Sequence, residues 1–142
     1  MTQLEQAKKN VITPEMRSVA EREPLSAEEI CADIAAGRTV ILKSGLHNCA
    51  SVGIGRGLLI KINSNIGTSM FNNDPAKELE KLAVSVRYGA DTVMDLSTGG
   101  DIHAMRRTIL KESRIPVGTV PVYEAIVRCP DVAGLSEDDL LD

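Results

Sequence analysis

Three short segments of the chain end in the same way. Leu59-Ile-Lys-Ile-Asn-Ser-Asn-Ile-Gly67, Ala90-Asp-Thr-Val-Met-Asp-Leu-Ser-Thr-Gly99 and Pro116-Val-Gly-Thr-Val-Pro-Val-Tyr123 are β-rich runs that finish in polar, glycine or proline residues. Asn65, Met94 and Tyr123 fall at matching strand ends, since 94 − 65 = 29 and 123 − 94 = 29. A period of that size is a strand, a loop and a helix, the βα unit. Parallel strands of a β/α barrel carry their chemistry at their carboxyl ends. The spacing predicts an α/β chain with about three such units, whereas a full (β/α)8 barrel takes eight and about 250 residues. A chain of 142 residues holds only the start of one.

Ahead of the repeats the signals are helical. A short polar helix is expected over residues 2–10. Thr13-Pro14 supplies a cap and a first-turn proline for a helix to about Arg22, and Ser26-Ala-Glu-Glu29 is a capping box for another that Gly37 ends. Arg38–Leu42 reads as a short β run, residues 43–57 as a loop, and Leu58–Ile62 as the first strand of the repeating set, with Lys61 at a paired or edge position. Asp74-Pro75 opens a helix that Gly89 stops, with Leu79, Leu82, Ala83 and Val86 at helical spacing. The second strand is Thr92–Leu96, and a helix follows from Asp101 or Ile102 to about Glu112. Pro116 opens the third strand, Tyr123–Arg128 starts a helix that Pro130 breaks, and Ser136-Glu-Asp-Asp139 caps another as the chain stops. The domain division is expected as a lead segment over 1–50 and a partial β/α barrel over 51–142.

Composition narrows the function classes. Sixteen Lys and Arg against 20 Asp and Glu give a net charge of −4, with no tryptophan, one phenylalanine and two tyrosines. Neither a basic face nor a set of stacking platforms for nucleic acid is provided. Cys31, Cys49 and Cys129 form no CxxC pair, which argues for free thiols in a reducing cytosol. No apolar run is long enough to span a membrane, so a cytoplasmic protein is expected. Neither His47 nor His103 has a His, Cys or carboxylate at metal-ligand spacing in the sequence, and neither a metal site nor a catalytic residue is read from spacing.

Candidate binding residues carry two readings each. Asn63 and Asn65 offer donors and acceptors to a polar ligand, or close the strand–loop junction. Met94 and Asp95 must point to opposite sides of a strand, so only one enters a barrel mouth; taken alone, Met94 reads as core filler. Ser97-Thr98-Gly99-Gly100 precedes a helix and suits an anion or an ordinary turn. Tyr123 aims its hydroxyl at a ligand or packs with it at the surface. Gly53-Ile-Gly-Arg-Gly57 precedes a strand and lacks the G-x-G-x-x-G spacing, so a tight turn is the better reading than a phosphate cradle.

Gly53-Ile-Gly-Arg-Gly-Leu58, Asn63-Ser-Asn-Ile-Gly-Thr-Ser69, Tyr88-Gly-Ala-Asp-Thr-Val-Met-Asp-Leu-Ser-Thr-Gly99, Pro116-Val-Gly-Thr-Val-Pro-Val-Tyr123 and the opening Ile12-Thr-Pro-Glu-Met16 closely resemble the phosphomethylpyrimidine synthase (ThiC) family of thiamine biosynthesis. The likeness runs in order over nearly the whole chain. It implies a radical S-adenosylmethionine enzyme, a carbon–carbon lyase with a 4Fe-4S cluster. Such an enzyme rearranges 5-aminoimidazole ribonucleotide to 4-amino-5-hydroxymethyl-2-methylpyrimidine phosphate. The implied fold is a helical N-terminal region, a (β/α)8 barrel and a C-terminal cluster-binding segment, usually in a homodimer. Substrate contacts carry over to Asn65 of the N-x-N-I-G motif, Met94 of D-T-V-M-D-L-S-T-G and Tyr123 of P-x-Y.

Three departures accompany the likeness. The C-x-x-C-x-x-x-x-C cluster motif is absent, so no cofactor is expected on this chain alone. The metal-binding histidines of the later barrel are absent as well. Leu42-Lys-Ser-Gly-Leu-His47 lacks the proline and asparagine of the usual P-x-N-x-x-H. The expectation is an N-terminal portion, inactive by itself, that self-associates or is completed by another chain. The alternatives are the same portion of 5-hydroxybenzimidazole synthase, which uses the same substrate, and a non-catalytic binding or assembly module.

Overall fold

A computed structural model describes residues 1–129 and 131–141, and the side chains up to residue 139. The chain separates into two compact units, Met1–Lys61 and Ile62–Asp142. A hairpin keeps residues 52–55 in the first unit, where they pair with 39–42.

The first unit is built from short, well-capped helices: α1 (Gln3–Ala7), α2 (Pro14–Ala20) and α3 (Ala27–Ala35). Thr2, Thr13 and Ser26 each cap one of them by accepting from a backbone N–H of the first turn. A cap of this kind contributes about 1 kcal/mol, which matters for helices too short to persist alone. Their buried faces meet in a core of Ala7, Met16, Val19, Ile30, Cys31 and Ile34. An antiparallel pair, β1 (Thr39–Leu42) and β2 (Val52–Gly55), completes the unit. Strand β2 lies inside the stretch expected to be loop. Two of its four residues are glycine, which hides the β pattern, yet the packing needs one of them: a Cβ on Gly53 would sit 2.7 Å from Val19 Cγ1.

The second unit alternates strand and helix. Its elements are β3 (Asn63–Ile66), α4 (Pro75–Arg87), β4 (Thr92–Asp95), α5 (Ile102–Glu112), β5 (Val117–Thr119) and α6 (Pro121–Arg128), followed by a turn of 3-10 helix at Val132–Gly134 and α7 (Asp138–Leu141). The strands form one parallel sheet in the order β3-β4-β5. Ile66 and Val93, with Val117, pack against Leu79 and Leu82 of α4 and Met105 and Ile109 of α5. This gives a mixed α/β unit with helices packed on one face of the sheet.

Two expected boundaries move. The first strand is Asn63–Ile66, not Leu58–Ile62. Leu59, Ile60 and Ile62 are exposed, while the polar residues after them make the ladder with β4. Lys61 lies outside any strand and pairs with Glu23 at 2.8 Å. The expected helix Tyr123–Arg128 starts earlier, at Pro121, because proline at the first helical position is preorganised for it. The break expected at Pro130 lies outside the described residues.

Candidate functional site

Register brings Asn65 directly beside Met94, and Met94 beside Gly118, across three parallel strands. Alternation then sends Asn63, Asn65, Thr92 and Met94 to the face opposite Ile66 and Val93, away from α4 and α5. Asn65 is exposed and Met94 half-buried. The Asn63 amide donates to Asn65 Oδ1 at 2.9 Å, and Thr92 Oγ1 donates to Asn63 Oδ1 at 2.9 Å. That chain of bonds orients the Asn65 side chain and leaves its own amide N–H pair without a partner among the described residues. A Cβ on Gly118 would meet Met94 Sδ, so a side chain there would push the Met94 thioether aside. Asp95, one residue on, points the other way and is 3% exposed.

The loops leaving β3 and β4 are tied to each other just beyond this row. Leu96 N–H donates to Ile66 O at 2.8 Å and Thr98 N–H to Thr68 O at 2.8 Å. Thr68 N–H donates to Ser97 Oγ at 3.1 Å, and Thr68 Oγ1 donates to Gly99 O at 2.6 Å. Ser97 is held in turn by Asp95 Oδ1, which accepts from both its Oγ at 2.5 Å and its N–H at 3.0 Å. Gly67 has φ +143°, and a Cβ on it would lie 2.5 Å from Ser97 N, so this close approach admits only glycine. Glu78 of α4, fully buried, accepts from Gly67 N–H at 2.7 Å and pairs with Lys81 at 2.6 Å. Ser97-Thr98-Gly99-Gly100 therefore serves as a tied strand-to-helix turn.

Tyr123 does not sit at a matching strand end. The third strand is in register through Gly118, 118 − 94 = 24 residues from Met94. Helix α5 and its approach are shorter than α4 and its loop, 11 helical residues against 13, so the period of 29 holds only between β3 and β4. Tyr123 lies instead in the first turn of α6 and is 41% exposed. Its neighbour Glu124 is buried and anchors that turn. Arg106 Nη2 donates to Glu124 Oε2 at 2.6 Å, and His103 Nε2 approaches Oε1 at 2.7 Å.

Glu78, Thr68, Gly118 and Glu124 went unseen in the sequence. One signal was present for Glu78: it lies four residues before Leu82, on the apolar stripe of α4, and these are the two buried residues of that helix. A charged residue on a buried stripe needs a partner. Nothing marked Gly118 as facing Met94, because register is set by tertiary pairing.

The row offers a neutral amide, a thioether and backbone groups on an open sheet face. It can bind and orient; it presents no nucleophile and no proton-transfer group. Among the described residues no three His, Cys, Asp or Glu side chains converge as metal ligands.

The Radical SAM ThiC family matches residues 2–142. Among curated proteins, the phosphomethylpyrimidine synthase of Thermodesulfovibrio yellowstonii is 50% identical over 100% of this chain and 34% of its own length. That of Thermus thermophilus is 52% identical over 90% of the chain and 30% of its own length. That of Thermococcus kodakarensis is 46% identical over 99% and 34%.

The chain belongs to the radical SAM ThiC family. It spans about a third of the length of the curated relatives that it matches. Asn65 and Met94 lie in two of the motifs that carry the family likeness, and Tyr123 in a third.

Proposed function

We propose that the chain is the N-terminal portion of a phosphomethylpyrimidine synthase of thiamine biosynthesis. In the complete cytoplasmic enzyme, 5-aminoimidazole ribonucleotide is converted to 4-amino-5-hydroxymethyl-2-methylpyrimidine phosphate. On this reading β3, β4 and β5 are the first strands of a (β/α)8 barrel. The row Asn65, Met94 and Gly118 lines its interior near the carboxyl ends, where such barrels bind substrate. Asn65 and the Tyr123 hydroxyl hold polar groups of the ribonucleotide, and Met94 shapes the wall beside them. The observation that carries the reading is the side-by-side register of Asn65 and Met94 on the sheet face that α4 and α5 leave open.

The thiols of this chain do not fit the 4Fe-4S cluster of the family. Cys31 is buried in the helical core with Sγ 3.9 Å from the Ala7 carbonyl, Cys49 is buried in the first unit, and Cys129 lies in the second. The role of the chain is substrate positioning.

Calorimetric titration with 5-aminoimidazole ribonucleotide tests this. The chain is expected to bind it, Asn65→Ala to weaken binding about tenfold, and Met94→Ala to weaken it less. No binding, or binding that Asn65→Ala leaves unchanged, overturns the reading. The chain alone is expected to show no turnover with S-adenosylmethionine and a reductant; pyrimidine phosphate formed under those conditions refutes the positioning-only role.

A further inference from the structure

The acidic residue behind Asn65 has no part in the reading above. Glu78 is 0% exposed, though it belongs to a helix whose other acidic residue of that turn region, Glu80, is exposed. A buried carboxylate is tolerated only when its oxygens are satisfied. Here each oxygen has one partner, and they differ in kind. Lys81 is a neighbour on the same helix. Gly67 N–H belongs to the loop leaving β3, two residues after Asn65. One carboxylate therefore bridges the first turn of α4 to the exit of the strand that carries Asn65. The position near a helix N-terminus also favours the negative charge.

Gly67 is the natural point to hold. Its backbone lies against Leu96 and Ser97, and the next residue, Thr68, makes the bonds that tie the two loops. A loop held on one side by Ser97 and Gly99, and on the other by Glu78, has little freedom to slide along β4. Sliding is what would take Asn65 out of line with Met94.

We propose that Glu78 is a positioning residue: by accepting the Gly67 N–H it locks the end of β3 and fixes the Asn65 side chain for ligand. The ligand clause rests on the function proposed above; the tether itself does not.

The test uses the whole 142-residue chain, isotope-labelled, with Glu78→Met, Glu78→Gln and Glu80→Ala. Methionine fills the buried space and accepts no strong hydrogen bond; glutamine keeps a carbonyl acceptor for Gly67 N–H. Amide exchange at Gly67 and Thr68, the Asn65 side-chain amide resonances, and affinity for 5-aminoimidazole ribonucleotide are read together. In Glu78→Met, exchange at Gly67 is expected to quicken about tenfold or more, the Asn65 resonances to shift, and affinity to fall about tenfold. Glu78→Gln is expected to restore most of all three, and Glu80→Ala to match wild type.

A folded Glu78→Met chain with unchanged Gly67 exchange and Asn65 resonances overturns the tether. Fast exchange at Gly67 in the wild type overturns it too, whatever the variants do, so the test survives a variant that fails to fold. Wild-type chain that does not bind the ribonucleotide refutes the functional reading and the ligand clause with it. The exchange data then still decide the tether.

Discussion

Gly118 and Met94 are coupled at the residue level in the candidate site. The strand leaves room for Met94 Sδ only because Gly118 lacks a Cβ. Gly118→Ala is expected to destabilise the chain by about 1 kcal/mol, the low end of the cost of added volume, because the half-buried Met94 thioether can swing aside, read by urea unfolding. Met94→Ala removes the obstructing atom. The double variant should therefore lose less than the two single losses added together, a coupling that contact pairs show and distant ones do not. Strict additivity would mean that the two residues do not meet. Glu124 makes a second residue-level case. Its buried carboxylate takes a donor from Arg106, whose side chain is 24% exposed. Glu124→Ala would leave that guanidinium without its partner and should cost about 2 kcal/mol, tempered by the solvent that reaches Arg106.

Single elements carry their own pH dependence. In α2, the Glu15 carboxyl is held below its ordinary value of 4.5, chiefly by a backbone N–H and next by the Gln3 side chain. In α3, the Ser26 N–H and then its hydroxyl do the same for Glu29. A carboxylate whose pKa is lower folded than unfolded adds stability above the unfolded value. That contribution fades as pH falls through the folded one. The first unit should therefore lose helix ellipticity and melting temperature as pH drops below about 4.5, and Glu29→Gln should flatten that slope. These helices were legible in the sequence because capping is local chemistry: Thr13-Pro14, Ser26 with Glu29, Asp74-Pro75 and Asp101 each announce a start that the structure keeps. Strands were less legible. Asn63, Ser64 and Asn65 have poor β propensity and form β3 only because β4 pairs with them, while the apolar Leu59 and Ile60 before them stay outside the sheet. The site was half legible for the same reason. Asn65 and Met94 meet through equal loop and helix lengths in one unit; Tyr123 loses the phase because α5 is shorter and α6 begins at Pro121.

At the scale of the whole chain, the second unit has unpaired surfaces. Among the described residues β3 pairs only with β4, and β5 only with β4, so each leaves one edge open. Beside β5, α6 buries Glu124 and Ala125 but exposes Val122, Ile126 and Val127. Open strand edges and apolar helix faces drive association. In the proposed complete enzyme the next βα unit would cover the β5 edge and the α6 face, and the last barrel strand would close the β3 edge. Alone, the chain is expected to self-associate, with a mass by light scattering that rises with concentration. Val122→Glu with Ile126→Lys tests the helix face directly. The pair lies four residues apart in the favourable order, so it supports α6 while removing apolar surface. It leaves Glu124 and Ala125 in place. The variant should shift the mass towards monomer with its helix content intact. A mass that stays unchanged would assign association to the strand edges instead, and a monomeric wild-type chain would mean that neither surface recruits a partner at the concentrations measured.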